Sequence, residues 1–219
     1  MTDLSRVRGI VFDLDGTLVD GFTGITTAVN AARAASGLPP LPQDAVTLRV
    51  GRGLDDLLAA TLPVGAVAGG VRVFRETYDR VCESESRAMP GASRVLPELA
   101  ARGYRLSVAS NKLAVFSVRI LRAVGLAPYL AIVHGPDSAG RPKPDPAMID
   151  ACLAAMERTR GESIYVGDMP LDVEAAASAG VGVALLAGGA SPRAALEATG
   201  APVFSGLEEL ATALPQRAR

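Results

Sequence analysis

The sequence has few cysteines and no excess of charge of either sign. Among 219 residues there are two cysteines, Cys82 and Cys152, which lie far apart and match no metal-ligand spacing. A disulfide framework is therefore excluded, and we interpret both as small buried apolar residues. The formal net charge of −1 lacks the basic excess that attracts nucleic acids and anionic membrane surfaces. We expect neither as a partner.

Long apolar runs are also absent. The segment from Met1 to Arg6 lacks the apolar core of a signal peptide. No stretch approaches the roughly 20 apolar residues that a membrane-spanning helix needs. We therefore expect a cytoplasmic protein. Separately, we expect it to be a monomer or a homodimer. Its length is enough for one α/β domain with a small insertion.

Lysine and histidine are scarce as well. Of the 22 lysines and arginines, only Lys112 and Lys143 are lysine, and the only histidine is His134. A serine–histidine–acid arrangement would have to be built around His134, which we interpret as a structural residue at a strand end. A compact ammonium acts on phosphate as a point charge, a task that the planar guanidinium does not replace well.

Two carboxylates, Asp13 and Asp15, directly follow the apolar run Ile10-Val11-Phe12. They lie where a buried strand emerges into a loop, and residues two apart in an extended chain project to the same face. Like charges about 4 Å apart repel by roughly 1–4 kcal/mol in moderate to high dielectric. We therefore expect a cationic group to offset them.

Three further segments carry polar side chains at predicted strand ends or just before a helix. They are Val108-Ala109-Ser110-Asn111-Lys112, Arg141-Pro142-Lys143-Pro144-Asp145-Pro146, and Ile164-Tyr165-Val166-Gly167-Asp168, which continues into Met169-Pro170-Leu171-Asp172. Ligands of open parallel sheets gather outside the carboxyl ends of the strands. One pocket for an anionic substrate and a divalent cation is therefore predicted.

Apolar runs alternate with segments of helical period, which predicts βαβ units and a parallel sheet. The predicted strands cover residues 10–13, 105–109, 131–134, 163–167, 182–186 and 202–204. The predicted helices cover residues 93–101, 114–124, 146–156, 171–179, 192–198 and 207–214.

The stretch from about residue 21 to 89 shows helical patterning without a convincing strand. Helices are predicted at 24–36, 44–49, 54–62 and within 71–84. Val71, Phe74, Tyr78 and Val81 recur at helical spacing, which is typical of packing residues. Gly69-Gly70 is predicted to break the chain between two helices.

In their order and at these strand ends, the motifs resemble the haloacid dehalogenase-like hydrolase superfamily and, within it, the phosphoglycolate phosphatase-like group. The resemblance covers essentially the whole chain. It implies a Rossmann-like parallel sheet flanked by helices, with a catalytic core of residues 1–19 and 90–219 and a small all-α cap of residues 20–89. It also implies a Mg²⁺-dependent phosphatase that acts on a small phosphorylated metabolite through an aspartyl phosphate. The leading substrate candidate is 2-phosphoglycolate.

The same resemblance assigns roles to the aspartates. Asp13 is the expected nucleophile, and a carboxylate suits this role because it is already ionised at neutral pH. Asp15 is the expected general acid and base, which protonates the leaving alkoxide and then deprotonates water. Mg²⁺ is expected on Asp13, the backbone carbonyl of Asp15 and Asp168. Asp172 is expected to support Lys143 or a metal-bound water.

Phosphoryl transfer also needs preorganised donors for the phosphate oxygens. We expect the Ser110 hydroxyl, the Asn111 backbone N–H and Lys143 to provide them. Arg52 lies between glycines in a loop of the predicted cap. It is a candidate for binding a substrate carboxylate, and an arginine that only faces solvent is the alternative.

Two alternative functions stay open, a sugar-phosphate mutase on the same scaffold and a non-catalytic phospho-acceptor or phosphate-binding module. Mutases of the group use cap residues that include a histidine to delay hydrolysis, and this cap has none, which favours hydrolysis. The intact aspartates and Lys143 argue against a non-catalytic module. Group members usually carry serine where this chain has Gly21, so the effect of that residue on cap closure stays open.

Overall fold

A six-stranded parallel sheet forms the centre of the computed structural model, which describes residues 3–216. Its strand order is β5-β4-β1-β6-β7-β8. The strands are β1 (Gly9–Phe12), β4 (Arg105–Ala109), β5 (Val133–His134), β6 (Ser163–Gly167), β7 (Gly182–Leu186) and β8 (Val203–Phe204). The predicted α/β class is confirmed.

The first strand lies in the middle of the sheet because all four of its residues are apolar or glycine and are buried. Strand β1 pairs with β4 and β6, and its last residue, Phe12, is level with Val108 and Val166. The three chains therefore leave the sheet side by side, and Asp13, Ser110 and Asp168 follow at the same edge.

Helices cover both faces of the sheet. Ile10 and Phe12 face one hydrophobic cluster, whereas Val11 faces a second one that contains Tyr165. This alternation follows from the period of two along a strand. The core helices are α5 (Ala92–Ala101), α6 (Ala114–Ala123), α7 (Pro136–Ala139), α8 (Ala147–Met156), α9 (Pro170–Ala179), α10 (Arg193–Glu197) and α11 (Leu207–Ala213).

The predicted cap is present as a set of helices between two short strands. Strands β2 (Val19–Asp20) and β3 (Arg87–Ala88) form an antiparallel pair where the chain leaves and re-enters the core. The cap helices are α1 (Phe22–Ala35), α2 (Gln43–Thr47), α3 (Leu54–Ala59) and α4 (Val67–Val81). The β2–β3 pair was missed in the sequence, and the exact domain boundaries at 19/20 and 89/90 stay a prediction.

The predicted helix break at Gly69-Gly70 is wrong, because both glycines lie inside α4. A side-chain carbon at Gly70 would lie 2.3 Å from Leu62 Cδ1 and 3.7 Å from Ala32 Cβ. Gly70 thus gives α4 room to approach its neighbours, and the surrounding helical packing outweighs the low helix propensity of glycine.

Candidate active site

The four predicted segments meet at one cavity of about 480 Å³ between the core and the cap. Asp13, Asp15, Ser110, Asn111 and Lys143 line its core side. All five are buried. Buried polar groups at strand ends need partners, and the partners of these residues define the site.

Lys143 is the centre of the polar network. Its ammonium lies 2.9 Å from Asp13 Oδ2 and 2.8 Å from Asp172 Oδ1, and its side chain is 2% exposed. It also donates to the Tyr165 hydroxyl at 3.0 Å, which in turn donates to the Ala109 carbonyl at 2.6 Å. Burial lowers the pKa of Lys143, but the Asp13 and Asp172 carboxylates outweigh this and raise it well above its usual value. Lys143 is therefore held as a cation.

Asp13, Asp168 and Asp172 form a buried acidic cluster in which one oxygen from each lies within 4.8 Å of the others. Asp168 accepts hydrogen bonds from the Thr17 hydroxyl at 2.8 Å and the Ala190 amide at 2.6 Å. Asp172 Oδ2 accepts from the amides of Asp168 and Met169, both at 2.9 Å. Asp172 is thus fixed by its own loop backbone, and Asp168 is fixed by residues of two other loops.

The charges of this cluster are not balanced. Lys143 offsets part of the negative charge on the three carboxylates. Burial raises the pKa of Asp168 well above its usual value, and the carboxylates of Asp172 and Asp13 raise it further. Asp13 Oδ1 is buried and has no hydrogen-bond partner among residues 3–216. Oxygen donors, surplus negative charge and an open carboxylate oxygen fit a hard divalent cation.

Asn111 contributes more than the backbone donor expected from the sequence. Its Oδ1 accepts from the Lys143 amide at 2.6 Å, and its Nδ2 donates to the Lys143 carbonyl at 3.3 Å. The same Nδ2 donates to the Gly51 carbonyl of the cap at 2.9 Å. The side chain therefore positions the lysine segment and joins it to the cap loop. Ser110 Oγ lies on the cavity wall and accepts from the Lys112 amide at 3.4 Å.

Asp15 forms an ion pair with the second lysine, Lys112. Lys112 Nζ lies 3.0 Å from Asp15 Oδ2 and also donates to the hydroxyl of Tyr78, which belongs to α4. Burial raises the pKa of Asp15, against the opposing effect of Lys112. Helical spacing alone predicts Tyr78 as a packing residue, because its position in the apolar stripe suits a phenylalanine equally well.

The other two candidate residues lie in different settings. Arg52 lines the cavity from the cap, between Gly51 and Gly53, whose φ angles are 127° and 102°. It is exposed to solvent. The His134 ring nitrogen Nδ1 lies 3.0 Å from Ser138 Oγ, and His134 is not among the residues that line the cavity. The interpretation of His134 as structural fits this placement.

Comparison with known proteins assigns the chain to a family. The family model described as haloacid dehalogenase-like hydrolase matches residues 10–186. The chain belongs to this family. It is 38% identical over 190 residues to a phosphoglycolate phosphatase of Caulobacter vibrioides, covering 83% of this chain and 80% of the relative. It is 35% identical over 195 residues to a phosphoglycolate phosphatase of Rhodospirillum rubrum, covering 84% and 81%.

Solved structures of haloacid dehalogenase-like proteins share the fold. A predicted phosphoglycolate phosphatase from Haemophilus somnus matches with a TM-score of 0.88 at 26% identity, covering 97% of this chain and 100% of that one. A haloacid dehalogenase-like hydrolase from Streptococcus pneumoniae matches with a TM-score of 0.86 at 21% identity, covering 96% and 99%. The fold of nearly the whole chain is therefore shared with these two structures.

The close approach of Asp172 to the end of β6 gives a prediction for Gly167→Ala. A Cβ at Gly167 would lie 2.1 Å from Asp172 Oδ2 and 2.6 Å from Asp172 Cβ. Since Lys143 and two backbone amides hold this carboxylate, it cannot shift without losing those bonds. We expect the free energy of unfolding to fall by about 1–3 kcal/mol in urea titrations.

The matched control is Gly161→Ala, where a Cβ meets no atom within 4 Å. We expect a change within about 0.5 kcal/mol for this variant. Equal unfolding midpoints for the two variants would contradict the tight packing of Asp172 against β6.

Proposed function

We propose that this chain is a Mg²⁺-dependent phosphatase that hydrolyses 2-phosphoglycolate through an aspartyl phosphate on Asp13. The prediction of a phosphatase is confirmed by its family membership and its phosphoglycolate phosphatase relatives. The observation that supports Asp13 most strongly is its position on the cavity wall, with Oδ2 on Lys143 and Oδ1 unpartnered within the described chain.

The chemistry proceeds in two steps. An Asp13 carboxylate oxygen forms a bond to phosphorus while the ester P–O bond breaks, and Asp15 gives a proton to the leaving alkoxide. Asp15 then takes a proton from water, which attacks phosphorus, releases phosphate and restores the Asp13 carboxylate. Lys143, the Ser110 hydroxyl and the Asn111 backbone N–H bind the phosphate oxygens in both steps.

Mg²⁺ is proposed to be held by Asp13, the backbone carbonyl of Asp15 and Asp168, with Asp172 supporting Lys143. This agrees with the surplus negative charge of the acidic cluster. When bound, the ion supplies positive charge that offsets repulsion between the carboxylates and the phosphate oxygens. Asp168 and Asp172 keep their positions through the bonds from Thr17, Ala190 and their own loop.

Substrate choice is proposed to come from the cap. The cavity of about 480 Å³ accommodates a small metabolite. Arg52 is a cation on the cap wall, and we propose that it binds the carboxylate of 2-phosphoglycolate.

No helix between residues 3 and 216 is long and apolar enough to cross a membrane. The cytoplasmic location and the monomeric or homodimeric state stay predictions from the sequence.

The first test is phosphate release by the purified protein from 2-phosphoglycolate and from p-nitrophenyl phosphate. We expect multiple turnovers with Mg²⁺, loss of activity with EDTA and recovery when excess Mg²⁺ is added. Mg²⁺ alone should also raise the thermal midpoint, because an ion that binds only the folded state stabilises it. Interconversion of a hexose phosphate without phosphate release would instead indicate a mutase. If the protein turned over none of these esters, the proposed enzymatic activity would be contradicted.

The nucleophile is tested by Asp13→Asn. An amide of the same shape cannot form the acyl phosphate, so we expect kcat to fall by at least about 10³-fold while the fold is kept. Asp150→Asn, which changes a surface aspartate paired with Arg160, is the control and should keep its activity. Substantial turnover by a folded Asp13→Asn protein would overturn the assignment.

The role of Arg52 is tested by Arg52→Ala. Loss of a charge-assisted bond to the substrate carboxylate should raise KM for 2-phosphoglycolate about 10-fold or more. KM for p-nitrophenyl phosphate, which has no carboxylate, should stay nearly constant. Arg72→Ala, at an exposed cap arginine paired with Glu76, should change neither. Equal rises for both substrates would remove Arg52 from substrate selection.

A further inference from the structure

We propose that Lys112 is a positioning residue that fixes the Asp15 carboxyl for proton transfer, and that the cap residue Tyr78 anchors Lys112. The inference rests on the proposed role of Asp15 as general acid and base. It assigns a function to the second of the chain's two lysines and to a cap side chain on the cavity wall, Tyr78.

Lys112 is engaged on two sides. Its ammonium lies 3.0 Å from Asp15 Oδ2, and its side chain is 9% exposed. It donates to the Tyr78 hydroxyl and lies 4.5 Å from the centre of that ring. Both contacts hold the ammonium against the acid–base carboxyl of Asp15.

Tyr78 is a rigid anchor. It is 1% exposed, stacks on Phe74 with ring centres 5.4 Å apart and meets the edge of Phe116 at 5.2 Å. Burial raises the pKa of Tyr78 to about 12, so its hydroxyl stays neutral and accepts the bond from Lys112. Because Phe74 and Tyr78 belong to α4 and Phe116 belongs to α6, the anchor is built across the junction of cap and core.

Asp15 has little else to hold its side chain. Its Oδ1 is buried without a hydrogen-bond partner in the described part of the chain. A Cβ at Gly21 would lie only 2.8 Å from this oxygen. Gly21 therefore leaves room for the orientation in which Lys112 holds Oδ2. This gives a physical reason for glycine at the position where serine is usual in the group.

The leaving group provides the test. Phenyl phosphate and p-nitrophenyl phosphate have nearly the same shape, but phenolate is the more basic leaving group and depends more on a proton from Asp15. The comparison uses kcat/KM, which covers the steps up to the aspartyl phosphate and excludes the later attack by water. Neither ester has a carboxylate, so the result is independent of Arg52 and of the natural substrate.

Lys112→Met keeps the unbranched shape and most of the length of the side chain and removes its charge. We expect kcat/KM for phenyl phosphate to fall about 10-fold more than for p-nitrophenyl phosphate, within the range that general acids contribute. Tyr78→Phe keeps the ring packing and should show the same bias to a smaller extent, which preserves the test if Lys112→Met does not fold. Tyr129→Phe, outside the cavity, is the matched control and should match wild type.

A double-mutant cycle separates positioning from a structural role. In an Asp15→Asn background, Lys112→Met should change kcat/KM less than about threefold, because its effect passes through Asp15. Equal losses on both esters, or full additivity with Asp15→Asn, would overturn the proposal. A raised KM with unchanged kcat would also overturn it, by making Lys112 a substrate-binding residue. If wild type cleaves neither ester, the proposed function and this inference both fail. The outcomes that overturn only the role of Lys112 do not contradict the proposed phosphatase activity.

Discussion

The ion pairs of Lys143 with Asp13 and Asp172 are the interaction on which the active site depends. Charges buried to this degree are unfavourable unless they are paired and hydrogen-bonded. Lys143 is bound at 2.9 Å and 2.8 Å by the two carboxylates. The Asn111 side chain accepts a hydrogen bond from the backbone N–H of Lys143 and donates one to its backbone carbonyl. Through its ammonium and its backbone together, Lys143 therefore links the residues that follow β1, β4 and β6.

The sheet and its edge were predictable because their signals are local. Three strands, Arg105–Ala109, Ser163–Gly167 and Gly182–Leu186, have the bounds predicted from their apolar runs. Because β4 and β6 pair in parallel with β1, the residues after these three strands meet at one edge of the sheet. The prediction of the acidic and basic site residues as neighbours follows from this geometry, since each of them directly follows a strand or precedes a helix.

The cap was predicted less well because its features depend on contacts between distant residues. Gly69-Gly70 resembles a break in the sequence, but both glycines lie inside α4, where Gly70 packs closely against Leu62 and Ala32. The hydroxyl of Tyr78 matters only because Lys112 lies beside it, 34 residues away along the chain. The side-chain bonds of Asn111 to Gly51 and Lys143 are likewise long-range. Helical periodicity in the sequence predicts which face of a helix is apolar. It does not predict which residue a polar atom on that face will contact.

The contacts between cap and core include exposed ion pairs and more buried hydrogen bonds, and the two kinds differ in how strongly they hold the cap over the cavity. Arg119 of α6 pairs with Asp79 of α4 and with Glu83 just after it, but its side chain is 33% exposed and the acidic partners are more so. Exposed pairs contribute little free energy and are screened by salt. The Asn111–Gly51 and Lys112–Tyr78 bonds are more buried, and both involve residues that line the cavity. The position of the cap is therefore coupled more strongly to catalytic side chains than to the outer surface, which ties substrate enclosure to the arrangement of the acid–base group.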